Sequence, residues 1–265
     1  MFSGITSILN GLTKDPVGTI ITLLYVAVCI LFSLILHECA HGYVALKCGD
    51  PTAKWMGRLT LDPRKHLDPL GTICMVFMRI GWAKPVPINP RNFRNYRRDY
   101  ILVSIAGIVT NLIVCLFSLV ISAVLAKIIW NKELLDYFSG TGNKKLLINM
   151  YEGRIAYNVY SGQFTDLSSY AQIPWLMHIQ RLFLMLAQMN LGLAVFNLIP
   201  VPPLDGYRVL DQFAFKGRLN LNPQTMMYIH IGFLVLCMSG MLTGLLTTVN
   251  SAVMSAFTSV ISVII

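Results

Sequence analysis

The sequence predicts an all-α polytopic membrane protein of about four to six transmembrane helices. A small membrane-associated β-sheet or re-entrant region is expected between the first and second spanning helices. Of the 265 residues, 55% are hydrophobic and only 12% are charged, and that charged share is about half the usual one for a soluble domain. Several apolar runs also reach the ~20 residues that a helix needs to cross a bilayer.

The first apolar segment predicts a spanning helix over residues 17–48. Pro16 marks a turn before it, and Gly49 predicts its end, because glycine suits the left-handed conformation of a helix C-cap. The preceding residues 1–13 carry apolar side chains at helical spacing, which predicts an interfacial helix. The apolar run 17–36 is too long for the apolar part of a cleavable signal peptide.

The end of this helix carries the pattern H-E-x-x-H, formed by His37, Glu38 and His41. Residues four apart share one face of a helix, so both imidazoles can reach one zinc ion. Glu38 lies beside them and can serve as general base for hydrolysis. Ionisable side chains are costly next to lipid, so this context favours a metal site over an accidental match.

Residues 49–99 contain six prolines and short alternating stretches, which predict strands and turns rather than helix. The apolar run 70–80 is too short to span the membrane. We therefore expect it to dip into the bilayer as a re-entrant segment covered by protein.

Three further apolar runs predict spanning helices over residues 100–130, 173–199 and 224–246. The polar residues 131–172 predict a loop outside the membrane, and the apolar segment 251–265 is short for a helix that crosses alone. With no Ser-, Gly- or Pro-rich linker, residues 1–265 are expected to form a single membrane-embedded peptidase domain.

Asn111 is a polar side chain inside the second of these runs, one turn after Gly107. It has two explanations that the sequence leaves open. It can form an ordinary hydrogen bond between helices, or it can face a catalytic cleft.

The third spanning run ends in three prolines within residues 200–203, which must break the helix. Asp205 follows in irregular backbone at membrane depth, which is tolerated only inside protein or beside a water-filled cavity. A catalytic zinc takes three protein ligands and keeps one open position, so we expect Asp205 to complete the set begun by His37 and His41. The alternative is that Asp205 caps the next helix.

Basic residues predict the orientation. Residues 42–99 contain eleven Lys or Arg, and the larger part of the opposite loop, residues 131–172, contains four. The positive-inside rule therefore places the H-E-x-x-H end of the first helix at the cytoplasmic face, and the third run brings Asp205 back to that face. The net charge of +9 is explained by such loops and by anionic lipid, not by nucleic acid.

The remaining cysteines and histidines are interpreted as structural. The six cysteines contain no C-x-x-C pair, which favours buried apolar thiols over disulfides. His66, His178 and His230 are solitary.

The chain resembles the site-2 protease family of intramembrane zinc metalloproteases over about residues 17–215. The segments that carry the resemblance are HECAH at 37–41, GDPTAK at 49–54, GRLTLDP at 57–63, HLDPLGT at 66–72, GWAKPVPINP at 81–90, AGIVTN at 106–111 and FNLIPVPPLDG at 196–206. It is similar to the compact prokaryotic members, which fits a multi-pass protein of the cell membrane without PDZ or CBS domains.

The resemblance implies one Zn²⁺ per chain bound by His37, His41 and Asp205, with Glu38 as the catalytic carboxylate. It implies a substrate-contacting or transition-state role for Asn111, and a transmembrane protein as the substrate.

Two positions of the chain depart from the family pattern. These are Ile108, where the family usually has proline, and Tyr207, where a small residue is common.

Two other functions compete with an intramembrane protease. A metal transporter needs ligands repeated along a path through several helices, whereas the chain shows one cluster at one membrane face. A catalytically inactive scaffold needs only the ligands, whereas the chain retains Glu38.

Overall fold

The structure is a computed structural model, and its fold is mostly helical. It describes residues 9–68, 71, 83–140, 144–155, 169–219, 221–239 and 241–264. The named helices are α1 (Pro16–Cys48), α2 (Thr52–Trp55), α3 (Tyr96–Ile129), α4 (Lys132–Gly140), α5 (Lys144–Glu152), α6 (Leu176–Asn197), α7 (Asp205–Ala214), α8 (Pro223–Ser239) and α9 (Met241–Ile264). Residues 9–14 are also helical.

Helices α1, α3 and α6 are long and apolar enough to cross a membrane. They contain 33, 34 and 22 residues, which correspond to about 50, 51 and 33 Å at 1.5 Å per residue. The predicted segments 17–48, 100–130 and 173–199 correspond to these three helices, although α3 begins four residues earlier and α6 three residues later than predicted.

The two ends of α1 follow the predicted capping chemistry. The Asp15 carboxylate accepts a hydrogen bond from the amide of Gly18 at 3.0 Å, and Pro16 occupies the first position, where no amide hydrogen is needed. Gly49 ends the helix with a φ of 111°. That left-handed conformation is readily available to glycine.

The predicted helix 224–246 corresponds to α8 and the first residues of α9, and residue 240 between them lies outside the described residues. The sequence reading placed the break near the polar residues 247–250, but these lie inside α9. Thr247 and Ser251 donate their hydroxyl groups to carbonyls three residues back, at 2.9 and 3.0 Å. Such side chains satisfy their polar groups on their own helix and can remain within it.

The predicted polar loop 131–172 contains two nine-residue helices, α4 and α5. Their apolar side chains recur at helical spacing and pack against a buried cluster of Ala126, Ile129, Trp130, Met150, Ile155 and Met177. Burial of this face explains why a segment with polar composition is helical.

The predicted β-sheet between α1 and α3 is not found, since the described residues there (49–68, 71 and 83–95) contain no strand. Strands need a ladder of backbone hydrogen bonds, but two amide groups here bind side chains instead. Val86 donates to Glu38 at 2.8 Å and Asn89 donates to Asp50 at 2.7 Å. Of the predicted re-entrant segment 70–80, only Gly71 is among the described residues.

Asp50 organises the chain that follows α1. It is fully buried and accepts hydrogen bonds from the amide and hydroxyl of Thr52, the amide of Asn89 and the side-chain amide of Asn92. Burial raises the pKa of the Asp50 carboxyl, but these donors outweigh it, so the pKa lies below its ordinary value.

Asp50 is expected to make the folded protein sensitive to acid. A depressed folded-state pKa stabilises the protein above the unfolded pKa of about 3.9, and this stabilisation is lost as the pH falls through the folded value. The thermal midpoint of the wild type should therefore drop more between about pH 7 and pH 3 than that of Asp50→Asn. Asp15→Asn is the control, and equal drops in wild type and Asp50→Asn would contradict the assignment.

The chain forms two compact units. The first comprises Met1–Leu112 and Gly192–Thr247, and the second comprises Ile113–Leu191 and Thr248–Ile265. In the second unit the Glu152 carboxylate, on a residue 1% exposed, pairs with Arg154 and accepts a hydrogen bond from Thr258. Partners of this kind offset the cost of burying a charge.

Candidate metal centre

Three metal-binding side chains converge in the first unit. His37 and His41 come from successive turns of α1, and Asp205 is the first residue of α7. The two Nε2 atoms are 3.0 Å apart, and Asp205 Oδ2 lies 3.2 Å from Nε2 of His37 and 3.1 Å from Nε2 of His41. All three residues are buried, with exposed fractions of 5–6%.

The spacing of these three atoms fits a zinc ion. Tetrahedral zinc with bonds of about 2.0–2.1 Å holds its ligand atoms about 3.3 Å apart. Three lone pairs directed at one another at this separation repel unless a cation lies between them. Within the part of the chain that the structure describes, this is the one group of three or more His, Cys, Asp or Glu side chains close enough to hold a metal.

His41 is oriented by the backbone of α3. Its Nδ1 lies 2.7 Å from the carbonyl oxygen of Val103. A carbonyl can only accept, so Nδ1 carries the hydrogen and Nε2 presents its lone pair to the group. This outer hydrogen bond fixes the tautomer that a zinc ligand needs.

Asn111 performs the corresponding task for His37. Its side-chain amide lies 3.1 Å from His37 Nδ1 and is fully buried. Asn111 Oδ1 has no hydrogen-bond partner. We assign the amide with Oδ1 toward the ring, because oxygen and nitrogen of an amide are distinguished by their partners. In that orientation Nδ1–H donates, Oδ1 is satisfied, and Nε2 is available to a metal.

Gly107 leaves the space that His37 occupies. A Cβ atom at residue 107 would lie 2.4 Å from Cε1 and 2.6 Å from Nε2 of the His37 ring. The group that approaches this glycine closely is therefore the imidazole of His37.

Substituting Gly107 by alanine is therefore expected to displace the His37 ring and to lower zinc content. Outer-shell changes alone typically weaken metal binding by about 10–100-fold. Zinc per chain should be measured after purification in buffer of controlled free zinc. Gly232→Ala is the matched control, since a Cβ there has no atom within 4 Å, and full zinc retention in Gly107→Ala would contradict the steric argument.

Asp205 is placed by the break between α6 and α7. Its predicted alternative role as N-cap is wrong, because Leu204 is the N-cap and Asp205 already belongs to the helix. Gly206 allows the chain to turn here, since a Cβ at that residue would lie 2.4 Å from the carbonyl oxygen of Leu198. In this position the Asp205 carboxylate reaches His37 and His41.

The two oxygens of the Asp205 carboxylate face different groups. Oδ2 lies against Nε2 of His37 and Nε2 of His41. Oδ1 faces the guanidinium of Arg208 at 3.7 Å, one turn along α7. The i,i+3 spacing of Arg208 from Asp205 is a signal for this pair that the sequence already contains.

Glu38 lies beside this group on α1. Its Oε2 accepts the amide hydrogen of Val86 at 2.8 Å, while Oε1 has its lone pairs available for a proton. Cys39 lies outside the metal group and donates its thiol hydrogen to the carbonyl of Thr60 at 3.2 Å. Neither Ile108 nor Tyr207 belongs to the group.

Comparison with known proteins gives the family. The sequence model of peptidase family M50 matches residues 25–239. The chain belongs to peptidase family M50. It is also 37% identical, over 212 residues, to a Bacillus subtilis (strain 168) protein named "Putative zinc metalloprotease YwhC", which covers 80% of this chain and 79% of that protein. No solved structure matches the chain.

Family membership and the apolar helices define the activity class. This M50 chain is an intramembrane zinc metalloprotease, and Zn²⁺ is its cofactor. The predicted family, enzyme class and metal are therefore confirmed. Nothing in these comparisons favours the transporter or the inactive scaffold.

Proposed function

We propose that His37, His41 and Asp205 hold one zinc ion and that Glu38 is the general base. The observation that carries this assignment is the convergence of three donor atoms within 3.0–3.2 Å, two of them on the helix where Glu38 directly follows His37. A catalytic zinc uses three protein ligands and an open position, and this set leaves that position open.

The mechanism divides the work among these residues. The zinc, when bound, supplies Lewis-acid polarisation of the peptide carbonyl and of water. Glu38 takes the proton from the attacking water at a carboxylate oxygen and delivers it to the leaving nitrogen. Asn111 is a positioning residue in this proposal, because it is fully buried against His37 rather than accessible to a substrate.

The substrate class follows from the surroundings of the site. Burial of the ligands within a protein whose described residues include three spanning-length helices favours peptide bonds of transmembrane or membrane-associated proteins. We place the enzyme in the prokaryotic cell membrane as a multi-pass protein. The metal group is at the cytoplasmic face, and residues 1–265 act as one peptidase domain.

Metal removal tests the ligand and cofactor assignment. The enzyme is reconstituted in liposomes with a transmembrane reporter substrate. It should carry about one zinc per chain. A chelator should abolish cleavage, and added zinc should restore it. Cleavage that persists in verified metal-free enzyme would overturn the proposal.

Cysteine labelling tests the orientation. Trp55 and Tyr137 are exposed by 79% and 63%, and they lie in the two regions predicted on opposite faces. In an active background without native thiols, Trp55→Cys should react with an impermeant reagent only from the cytoplasmic side. Tyr137→Cys should react only from the other side, and the reverse pattern would refute the positive-inside argument.

A further inference from the structure

A short proline-rich arm lies against the Glu38 carboxylate. This arm is defined as residues 84–87, Lys-Pro-Val-Pro. Two of its four residues are prolines, which have fixed φ and no amide hydrogen. It therefore has two amide donors, and both are used: Lys84 donates to the carbonyl of His66 at 2.8 Å, and Val86 donates to Glu38 Oε2 at 2.8 Å.

Arg58 holds the carbonyl side of the same arm. Its Nη2 donates to the carbonyl of Lys84 at 2.9 Å and to that of Pro85 at 3.1 Å. The residue is only 9% exposed. Burying a guanidinium costs free energy, and an apolar side chain would fill the same space without that cost. The two carbonyl contacts of Arg58 therefore point to a specific role.

The arm approaches α1 through a gap left by Gly42. A Cβ at residue 42 would lie 2.9 Å from Cγ1 of Val86 and 2.6 Å from Cδ2 of Leu59. Val86 is 5% exposed. The packing that buries its side chain therefore also fixes its amide opposite Glu38.

The loop that anchors the arm is itself tied to the residue after Glu38. The carbonyl of Thr60 accepts hydrogen bonds from the Cys39 thiol at 3.2 Å and from His66 Nε2 at 2.8 Å. The His66 carbonyl in turn binds Lys84. The contacts form a closed ring that leaves α1 at Cys39 and returns to it at Glu38.

We propose that Arg58 is a positioning residue for catalysis, which acts through the arm to hold the Glu38 carboxylate in its working orientation. The inference rests on the proposed role of Glu38 as general base. The rigid arm directs the amide hydrogen of Val86 at Glu38. This hydrogen bond fixes one oxygen of the Glu38 carboxylate and leaves the other to accept a proton. Misplacement of a reacting group by about 1 Å can lower a rate by about 10²-fold.

The test compares Arg58→Gln with Arg64→Gln in the full-length, zinc-loaded enzyme in liposomes. Arg64 lies in the same loop, with a side chain 88% exposed and paired to Asp62, so its loss removes the same charge without touching the arm. Arg58→Gln should lower kcat by about 10–100-fold while zinc content stays near one per chain and KM changes by less than about threefold. Arg64→Gln should retain wild-type kcat.

Conservative replacement and a double variant separate positioning from stability. Arg58→Lys keeps a donor but not the planar fork, so it should recover part of kcat. Val86→Pro deletes the amide donor and creates three consecutive prolines at 85–87, a sequence that favours extended backbone, and it should lower kcat to a similar extent. If both residues act through one hydrogen bond, the Arg58→Gln/Val86→Pro variant should be no slower than the slower single variant.

Several results would overturn the inference. These are a kcat of Arg58→Gln equal to that of Arg64→Gln, loss of zinc in Arg58→Gln, or losses that multiply in the double variant. If Arg58→Gln does not accumulate, Arg58→Lys and Val86→Pro provide the same comparison. The general-base assignment has a separate readout: Glu38→Gln at full rate refutes that assignment, whereas an inactive Glu38→Gln with an unaffected Arg58→Gln refutes only the positioning role.

Discussion

Replacing Glu38 with glutamine is expected to lower reporter cleavage by about 10²–10⁴-fold, the usual contribution of a positioned general base. The amide has nearly the same volume and can still accept the Val86 amide hydrogen at its oxygen. It cannot take a proton from water. Zinc content should be unchanged, because Glu38 is not one of the three converging side chains. The measurement is single-turnover cleavage at saturating zinc.

The control for this variant is the metal analysis of the same preparation. A variant that has lost zinc would report on folding and not on proton transfer. Cleavage at the wild-type rate with zinc bound would refute the general-base assignment, even if the ligand set is correct.

The local pattern of the metal group could be predicted because it depends on helix geometry. Two histidines four residues apart share a face in any straight α-helix, and α1 is continuous through His37 and His41. Asp205 was also predictable, since prolines must end a helix and a carboxylate at that depth needs a polar partner. The predicted spanning segments followed from apolar length in the same way.

The region between α1 and α3 could not be predicted at this level. Six prolines suggested short strands and turns, but the decisive contacts are long-range. Val86 binds Glu38, which is 48 positions earlier in the chain, and Asn89 binds Asp50, which is 39 positions earlier. Such contacts leave no periodic signal in a sequence. Arg58 was counted only as a basic loop residue for the same reason, since its partners are backbone carbonyls of residues 84 and 85.

Asn111 illustrates how the sequence can single out a residue without identifying its partner. Its position within an apolar run showed that it needed a partner, but composition cannot identify that partner. The structure places it 3.1 Å from His37 Nδ1 and without exposure. We therefore propose that Asn111 affects hydrolysis by orienting His37 and not by contacting the substrate.

Replacing Asp205 with alanine is expected to have the largest effect on the metal. It removes one of three ligands and the only anionic one, and the two imidazoles that remain are weaker as a pair than a complete three-ligand site. Zinc affinity should fall by more than about 100-fold, since even outer-shell changes cost 10–100-fold. Reporter cleavage should fall to background in parallel with zinc content.

Asp211→Ala provides the matched control for this last experiment. Asp211 lies on the same helix, and its carboxylate accepts the amide hydrogen of Leu219 at 3.1 Å, so its loss removes an equal charge from α7 outside the metal group. The control should retain about one zinc per chain. Asp205→Asn keeps the shape of the side chain but loses the charge, so its zinc content should lie between those of wild type and Asp205→Ala. A tightly bound zinc and full cleavage in Asp205→Ala would place the third ligand elsewhere in the chain.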